Sequence, residues 1–483
     1  AQIGNLPYEV SVGGQAYRFN PRNVLGGLDR AIVVGTETAA AQNPKAFTNF
    51  IVNNQIGVYD FETYSNRLGI EVVDSPNNFI IDNIIGESTV AGVWLRGGKA
   101  TWNRLAANQI GVASFLPLDQ NIGNDVGVRV DAPDNIVGSI ANWPGLGAAA
   151  RNLIGKNRVG IVVTAFGNTI AGNYIGTDSQ GRNFGNTEAG ISVENTPKDD
   201  KDKYNLIGAT GDQRENVVGW NKIGIRLDHT SHAILANNFV GYSPFAGTPD
   251  TSNAGSLLVA GAAVPNEVGI RLDNATKNFI GPEFDPDPAK RRVSALLDNL
   301  LDGANLISSN RGSGIELGAG SASNVIRGNL IGRAELKVQR SEGGLVTTTG
   351  NVGAGIAIQK AGKNDIGDAN ASYLIGPSTL TVGLANLILG NQDGVTIDDA
   401  SKNELIAGNQ ISQNVRDGVK VSGNLQGGAS RIAQIVGNFI GVGFDGTSLT
   451  AYERPTGNGL SGVALEAGQG DASQASAGDM VQG

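Results

Sequence analysis

The chain of 483 residues has no cysteine, one methionine and two histidines. Without thiols there is no disulfide framework, no cysteine-ligated metal and no thiol catalysis. Two His are too few for a zinc site. Basic charge is scarce as well: 36 Lys and Arg stand against 45 Asp and Glu, a net charge of −9. No basic stripe exists to neutralise phosphates, which excludes nucleic acid as a partner. No apolar run reaches the roughly eighteen residues of a membrane-spanning helix. The glycines lack an accompanying Gly-Lys-Ser or Gly-Lys-Thr, so they are not phosphate loops.

Glycine, by contrast, is abundant, at 70 residues, about twice its usual share. Twelve times between Gly69 and Leu465 the chain repeats Gly, then Ile or Val, any residue, then Val, Leu or Ile. The phrase runs from Gly69-Ile70-Glu71-Val72 and Gly92-Val93-Trp94-Leu95 to Gly418-Val419-Lys420-Val421 and Gly462-Val463-Ala464-Leu465. Its apolar residues sit two apart, the strand period. Its Gly marks a tight entry that a side chain would crowd. A second phrase, Asn-x-apolar-x-x-Asn-x-Ile-Gly, covers 49–57, 78–86, 103–111, 168–176 and 324–332. Its asparagines, Asn49, Asn54, Asn78, Asn83, Asn103, Asn108, Asn168, Asn173, Asn324 and Asn329, read as corner residues that stack and hydrogen-bond from coil to coil. Sugar binding by them is the alternative.

One short strand per repeat, stacked on its neighbour, describes a solenoid. Twelve to thirteen coils at about 4.8 Å each give a rod of roughly 55–60 Å. Length alone suggests two or three domains, but the continuous repeat points to one elongated domain. The stretches 178–189, 242–268, 282–303, 333–354 and 442–461 read as loop insertions. Most follow the Ile-Gly or Val-Gly of the Asn phrase and are expected on one side. Within them, Val293, Leu296, Leu297, Leu300 and Leu301 follow helical spacing, with Pro288 and Gly303 as start and stop; this predicts a helix over 288–303, packed on the rod or docking a neighbouring subunit. The resulting division is 1–48, an N-terminal hairpin and cap; 49–465, the solenoid; and 466–483, a tail or inter-subunit segment. Tyr8–Val12 and Ala16–Phe19 around Gly13-Gly14 read as the hairpin. The tail is too poor in large apolar residues to cover a hydrophobic cross-section.

These phrases, with "NTIAGNYIGTDSQG" and "NVIRGNLIG", resemble the right-handed single-stranded parallel β-helix repeats of the pectate-lyase-like superfold, from about Phe50 to Leu465. The resemblance implies the fold and its handedness. It is unspecific for function, because the class holds pectate lyases, polygalacturonases, alginate epimerases, phage tailspikes and bacterial surface proteins. Of the polygalacturonase motifs only the paired Asp has a counterpart, Asp398-Asp399, and neither His is followed by Gly. The epimerase Asp-Pro-His is absent. Arg226-Leu227-Asp228-His229 is similar to the Trp-Ile-Asp-His of pectate lyases.

Four residues after the opening Gly an acid recurs: Asp131, Glu194, Asp228, Asp273, Asp398 and Glu466. Glu194, Asp228 and Asp273 fall in consecutive phrases and are the candidates for catalysis, about 5 and 10 Å apart if stacked, a range that brackets glycoside hydrolysis. Arg226, Arg271 and His229 are the candidate ligand-binding residues for a uronic-acid polymer. The competing account makes these acids turn caps paired with arginine in a surface ladder worth little. His232 reads as a solvated turn residue. No cofactor is implied; calcium is considered at Asp285-Pro286-Asp287 and at Asp199-Asp200-Lys201-Asp202, neither of which has calcium-loop spacing.

The sequence therefore favours a secreted or cell-surface prokaryotic protein, beginning at Ala1 as after removal of a signal peptide or in a fragment of a longer chain. Its leading function is a non-enzymatic structural protein that self-associates end to end, into a filament, through uncapped coils. The alternatives are a polysaccharide lyase, hydrolase or epimerase on uronic-acid polymers, and a carbohydrate-binding adhesin or tailspike.

Overall fold

The computed structural model describes residues 23–35, 48–138, 151–196, 203–209, 214–244, 261–282, 303–333, 348–368, 385–398, 401–423, 433–442 and 457–467. It also gives the strand pairing of 2–3, 8–12, 15–19, 335–338, 344–347, 374–375, 380–381 and 480–482. The chain divides into two compact units. The first is Ala1–Asp178 with Asn183–Gly208 and Asp212–Asn216; the second is Ser179–Arg182, Ala209–Gly211 and Val217–Gly483. Each is an all-β solenoid of the same construction.

One coil shows how the repeat folds. Phe79–Ile81 is a strand of the first sheet. Asp82 then turns the chain in the left-handed conformation, with φ 54°. Asn83 follows, and Ile84–Ile85 enters the second sheet. Ser88–Arg96, which contains the Gly-Val-Trp-Leu phrase, enters the third. Within each unit the described coils pair in parallel with the next: Phe79 lies between Phe50 and Arg104, and Val93 between Ile70 and Val128. The crossover rule for parallel strands makes the solenoid right-handed. Alternate side chains point inward, so the core is a set of columns. Ile51, Ile80, Leu105, Val137, Ile170 and Ile207 form one column in the first unit. Leu235, Ile280, Ile326, Ile366, Ile406 and Ile435 form its counterpart in the second. Each such side chain contributes on the order of 2–3 kcal/mol on burial.

The corners are held by buried asparagine ladders. Asn49 Nδ2 donates to Asn78 Oδ1 at 2.7 Å, and Asn78 Nδ2 to Asn103 Oδ1 at 2.7 Å. A second ladder runs Asn54, Asn83, Asn108, Asn152, Asn173 at 2.8–3.0 Å. Asn168 Oδ1 accepts from Asn135 N at 2.9 Å, and Asn324 and Asn329 donate to Asn364 and Asn386. A third ladder precedes the third sheet: Asn124–Asn157–Asn186 in the first unit, Asn221–Asn266–Asn310–Asn351–Asn391–Asn414–Asn458 in the second. The repeated glycine packs against it. A Cβ on Gly269 would stand 2.4 Å from Gly314 O and 2.9 Å from Asn310 Nδ2. Backbone cannot yield there, so Gly269→Ala is expected to destabilise the protein by about 2–3 kcal/mol in denaturant unfolding.

Four of the insertions, 178–189, 242–268, 333–354 and 442–461, leave the corner between the second and third sheets. The fifth, 282–303, leaves the corner between the first and second, after Phe279–Ile280 and before Leu306–Ile307. The expected helix lies, apart from Gly303, outside the described residues. So do both stretches weighed for calcium.

The sheets extend beyond 49–465 at both ends. Gln2–Ile3, Val24–Leu25 and Arg30–Gly35 already pair with strands of the first, second and third sheets. The hairpin Tyr8–Val12 with Gln15–Phe19 is inserted between the first two of these. The tail supplies Met480–Gln482, which pairs in parallel with Ala433–Val436. This pairing adds one strand to the first sheet; Met480–Gln482, Phe439–Ile440 and Val463–Ala467 are then the last described strands of the first, second and third sheets.

Candidate functional site on the third sheet

In the Gly-Ile-x-Val phrase the x residue, and the residue two beyond it, point outward. Loops vary in length but the phrase stays in register, so outward residues of successive coils form rows. In the second unit Arg226 lies beside Arg271, and Asp228 beside Asp273. Arg271 in turn lies beside Glu316. Arg226, Asp228, Arg271, Asp273 and Glu316 are all half-buried, above the inward Ile225, Leu227, Ile270 and Leu272.

Arg271 Nε donates to Asp273 Oδ2 at 2.8 Å, and its Nη1 is 3.9 Å from Glu316 Oε2. The Asp273 hydrogen bond holds the guanidinium pKa above its ordinary value. Burial pushes the Glu316 carboxyl up, opposed by Arg271 and a Ser313 hydrogen bond and reinforced by Asp273. His229 Nδ1 lies 2.6 Å from Asp228 Oδ1. With an ionised carboxylate as acceptor, Nδ1 donates and Nε2 is left as a lone-pair acceptor toward solvent. His229 itself turns the corner at φ 49°, where the next coil has Asn274 at φ 49°. His232 occupies another left-handed corner, φ 58°, with Nδ1 3.2 Å from Ser231 Oγ. Both histidines are thus corner residues, and His229 is oriented by the Asp228 carboxylate.

The other recurrent acids do different things. Glu194 ends Ala189–Glu194 in the first unit, accepting from Ser192 Oγ at 2.7 Å. Asp398 accepts from Lys360 N and Ser401 Oγ, as a turn cap does. Glu466 pairs with Lys420 at 2.9 Å. Asp131 accepts from Trp94 Nε1, Arg129 Nε and Thr164 Oγ1 at 2.7–2.8 Å. Trp94 and Arg129 were not singled out by sequence, nor was Glu71, which is buried with Arg30 Nη1 at 3.0 Å and Arg96 Nε at 2.6 Å. Their signal was the identity of the x residue in each phrase: Glu, Trp, Arg. Among the described residues no group of three or more His, Cys, Asp or Glu is placed to hold a metal ion. No helix there is long and apolar enough to cross a membrane.

No family model matches the chain, and no curated protein matches it. Among solved structures it is similar to the periplasmic alginate epimerase AlgG, at 13% identity, with 90% of this chain and 85% of that chain covered and a TM-score of 0.35. It is also similar to the A-module of the Azotobacter vinelandii mannuronan C-5 epimerase AlgE4, at 11% identity, 91% of both chains and a TM-score of 0.31.

Proposed function

We propose that this protein acts outside the cytoplasm on an acidic polysaccharide, a polymer of uronic acids, along the outer face of its third sheet. The observation that supports this reading is the second-unit row, where Arg226 and Arg271 lie in register and the strand of Arg226 runs on into Asp228, which orients the His229 imidazole. A uronate carboxylate is planar and accepts two parallel hydrogen bonds, the geometry guanidinium offers. Repetition of Arg from coil to coil suits a ligand that is itself a repeat.

The same residues suit removal of the proton on the carbon next to the carboxylate. Neutralising the carboxylate with Arg226 and Arg271 acidifies that carbon, because the electron pair left behind delocalises into the carboxyl group. His229 Nε2 takes the proton. Collapse of the resulting carbanion expels the linkage oxygen at the next carbon; reprotonation from the opposite face inverts the centre instead. Incubation of a uronic-acid polymer with the protein in deuterium oxide is expected to place deuterium at that carbon where the centre is reprotonated, and to leave an unsaturated uronate end where the linkage oxygen is expelled. His229→Ala is expected to slow incorporation by about a hundredfold or more, with the fold intact by thermal melting. Absence of both deuterium incorporation and unsaturated ends with the unmodified protein sinks the proton-abstraction reading.

End-to-end assembly into a filament is the weaker reading. It rests on the end of the stack, where Phe439–Ile440, Val463–Ala467 and Met480–Gln482 are the last described strands of their sheets.

A further inference from the structure

The first unit carries a feature that a polyanion-active face does not explain. Val58–Tyr59 and Glu62–Thr63 form a small antiparallel hairpin after the second sheet. Its two turn residues, Asp60 and Phe61, are both left-handed, φ 46° and 67°. Such turns prefer Asn-Gly; here the second position displays a phenyl ring. Against it stands the loop 113–121, with Phe115 edge-on to Phe61 at 6.3 Å between centroids and 84° between planes. Gln120 Nε2 donates to Phe61 O at 2.9 Å, and Lys156 Nζ donates to Leu118 O and to Gln120 O. The two loops are therefore tied together over a buried base of Val58, Ile84, Ala113, Leu116 and Ile122. Above that base, Tyr59, Phe61, Tyr64, Phe115 and Leu118 are left 40–57% exposed.

Elsewhere the chain supplies its own cations to its rings. Trp94, Phe79, Tyr174, Phe166, Trp220 and Phe279 each carry an Arg or Lys of this chain within 6.0 Å. Among the described residues no such contact covers Tyr59, Phe61, Tyr64 or Phe115. The charges between the rings are negative. In Tyr59-Asp60-Phe61-Glu62-Thr63-Tyr64 acids alternate with aromatics, and Asp119 lies on the neighbouring loop. Glu62 accepts from Tyr64 OH but is not ion-paired, and neither is Asp60 among the described residues. The one nearby ammonium, Lys156, is turned to backbone carbonyls, and burial lowers its pKa.

We propose that this corner is a docking surface for a cationic protein segment, one presenting Lys or Arg. Ring faces attract a cation through their quadrupole and the carboxylates supply its counter-charge. An anionic polymer is repelled by the same carboxylates.

A short arginine–lysine peptide titrated calorimetrically against the full chain is the probe, with a neutral oligosaccharide and a uronic-acid oligomer as the other arms. The peptide is expected to bind, more weakly as salt rises. Phe61→Gly, which suits the left-handed turn and should raise the melting temperature, is expected to weaken binding about tenfold when combined with Phe115→Ala. Asp60→Asn with Glu62→Gln is expected to flatten the salt dependence. No binding of the peptide overturns the proposal. So does binding that both double variants leave unchanged, or loss in them of oligosaccharide binding alone. Because none of these residues lies on the third-sheet face, deuterium incorporation by the double variants separates failure here from failure of the catalytic reading.

Discussion

Replacing Asn310 by alanine is expected to lower the unfolding free energy by about 4 kcal/mol. Its Oδ1 accepts from Asn266 N at 3.3 Å and Asn266 Nδ2 at 3.0 Å. Its Nδ2 donates to Asn351 Oδ1 at 2.9 Å and Val240 O at 3.3 Å. The side chain is inaccessible to solvent, so water does not replace what is lost. Four hydrogen bonds of about 1 kcal/mol net go, and donors on Asn266 are stranded at about 1–3 kcal/mol each. Partial relaxation of the coil keeps the total below the sum. Denaturant unfolding at fixed pH checks this; a loss under about 1 kcal/mol contradicts a cooperative ladder.

Glutamate 404 should make the protein less stable as pH rises from about 4.5 to about 7. Glu404 occupies a ladder position filled by asparagine in the preceding coils, Asn278, Asn324 and Asn364. It is buried, and accepts from Asn364 N at 2.9 Å and Asn364 Nδ2 at 3.3 Å. Burial pushes its carboxyl up to about 7, against the pull of the two Asn364 donors and with Asp365 and Asp398 adding to the rise. In the unfolded chain it ionises near its ordinary value, so between the two values the folded state holds the extra proton. Stability is then fullest below about pH 4.5 and falls by about 2–3 kcal/mol as pH rises through the folded value. Glu404→Gln keeps the acceptor, adds a donor and removes the charge. Its unfolding free energy at pH 8 is expected to exceed that of the parent by about 2 kcal/mol, with the pH slope between 5 and 7 reduced. A variant no more stable than the parent at pH 8 contradicts a charged buried Glu404.

The two corner phrases made the coil legible, because strand period, left-handed corner and stacking asparagine all fall at fixed spacing in 78–86 and its copies. The third ladder was equally present in the sequence but hidden by its offset. Asn266 stands three residues before Gly269, whereas Asn310 stands four before Gly314, and the insertions ahead of them differ in length. The pairing of Arg226 with Arg271 and Asp228 with Asp273 was readable from the shared phrase. What each acid bonds was not, since Asp398 caps a turn and Asp131 binds a tryptophan from the same phrase position. The aromatic corner escaped notice because 58–64 and 113–121 meet only through a coil of intervening chain. Nothing in either segment alone announces Gln120 bonded to Phe61.

Arg226 and Arg271, on the third sheet of the second unit, are proposed to hold a uronate chain. Calorimetric titration of a uronic-acid oligomer into the protein and into Arg226→Ala/Arg271→Ala tests it most directly. The account predicts binding by the parent, at least tenfold weaker in the double variant, and little binding of a neutral oligomer of equal length. Equal affinity in parent and variant, or a preference for the neutral oligomer, contradicts it.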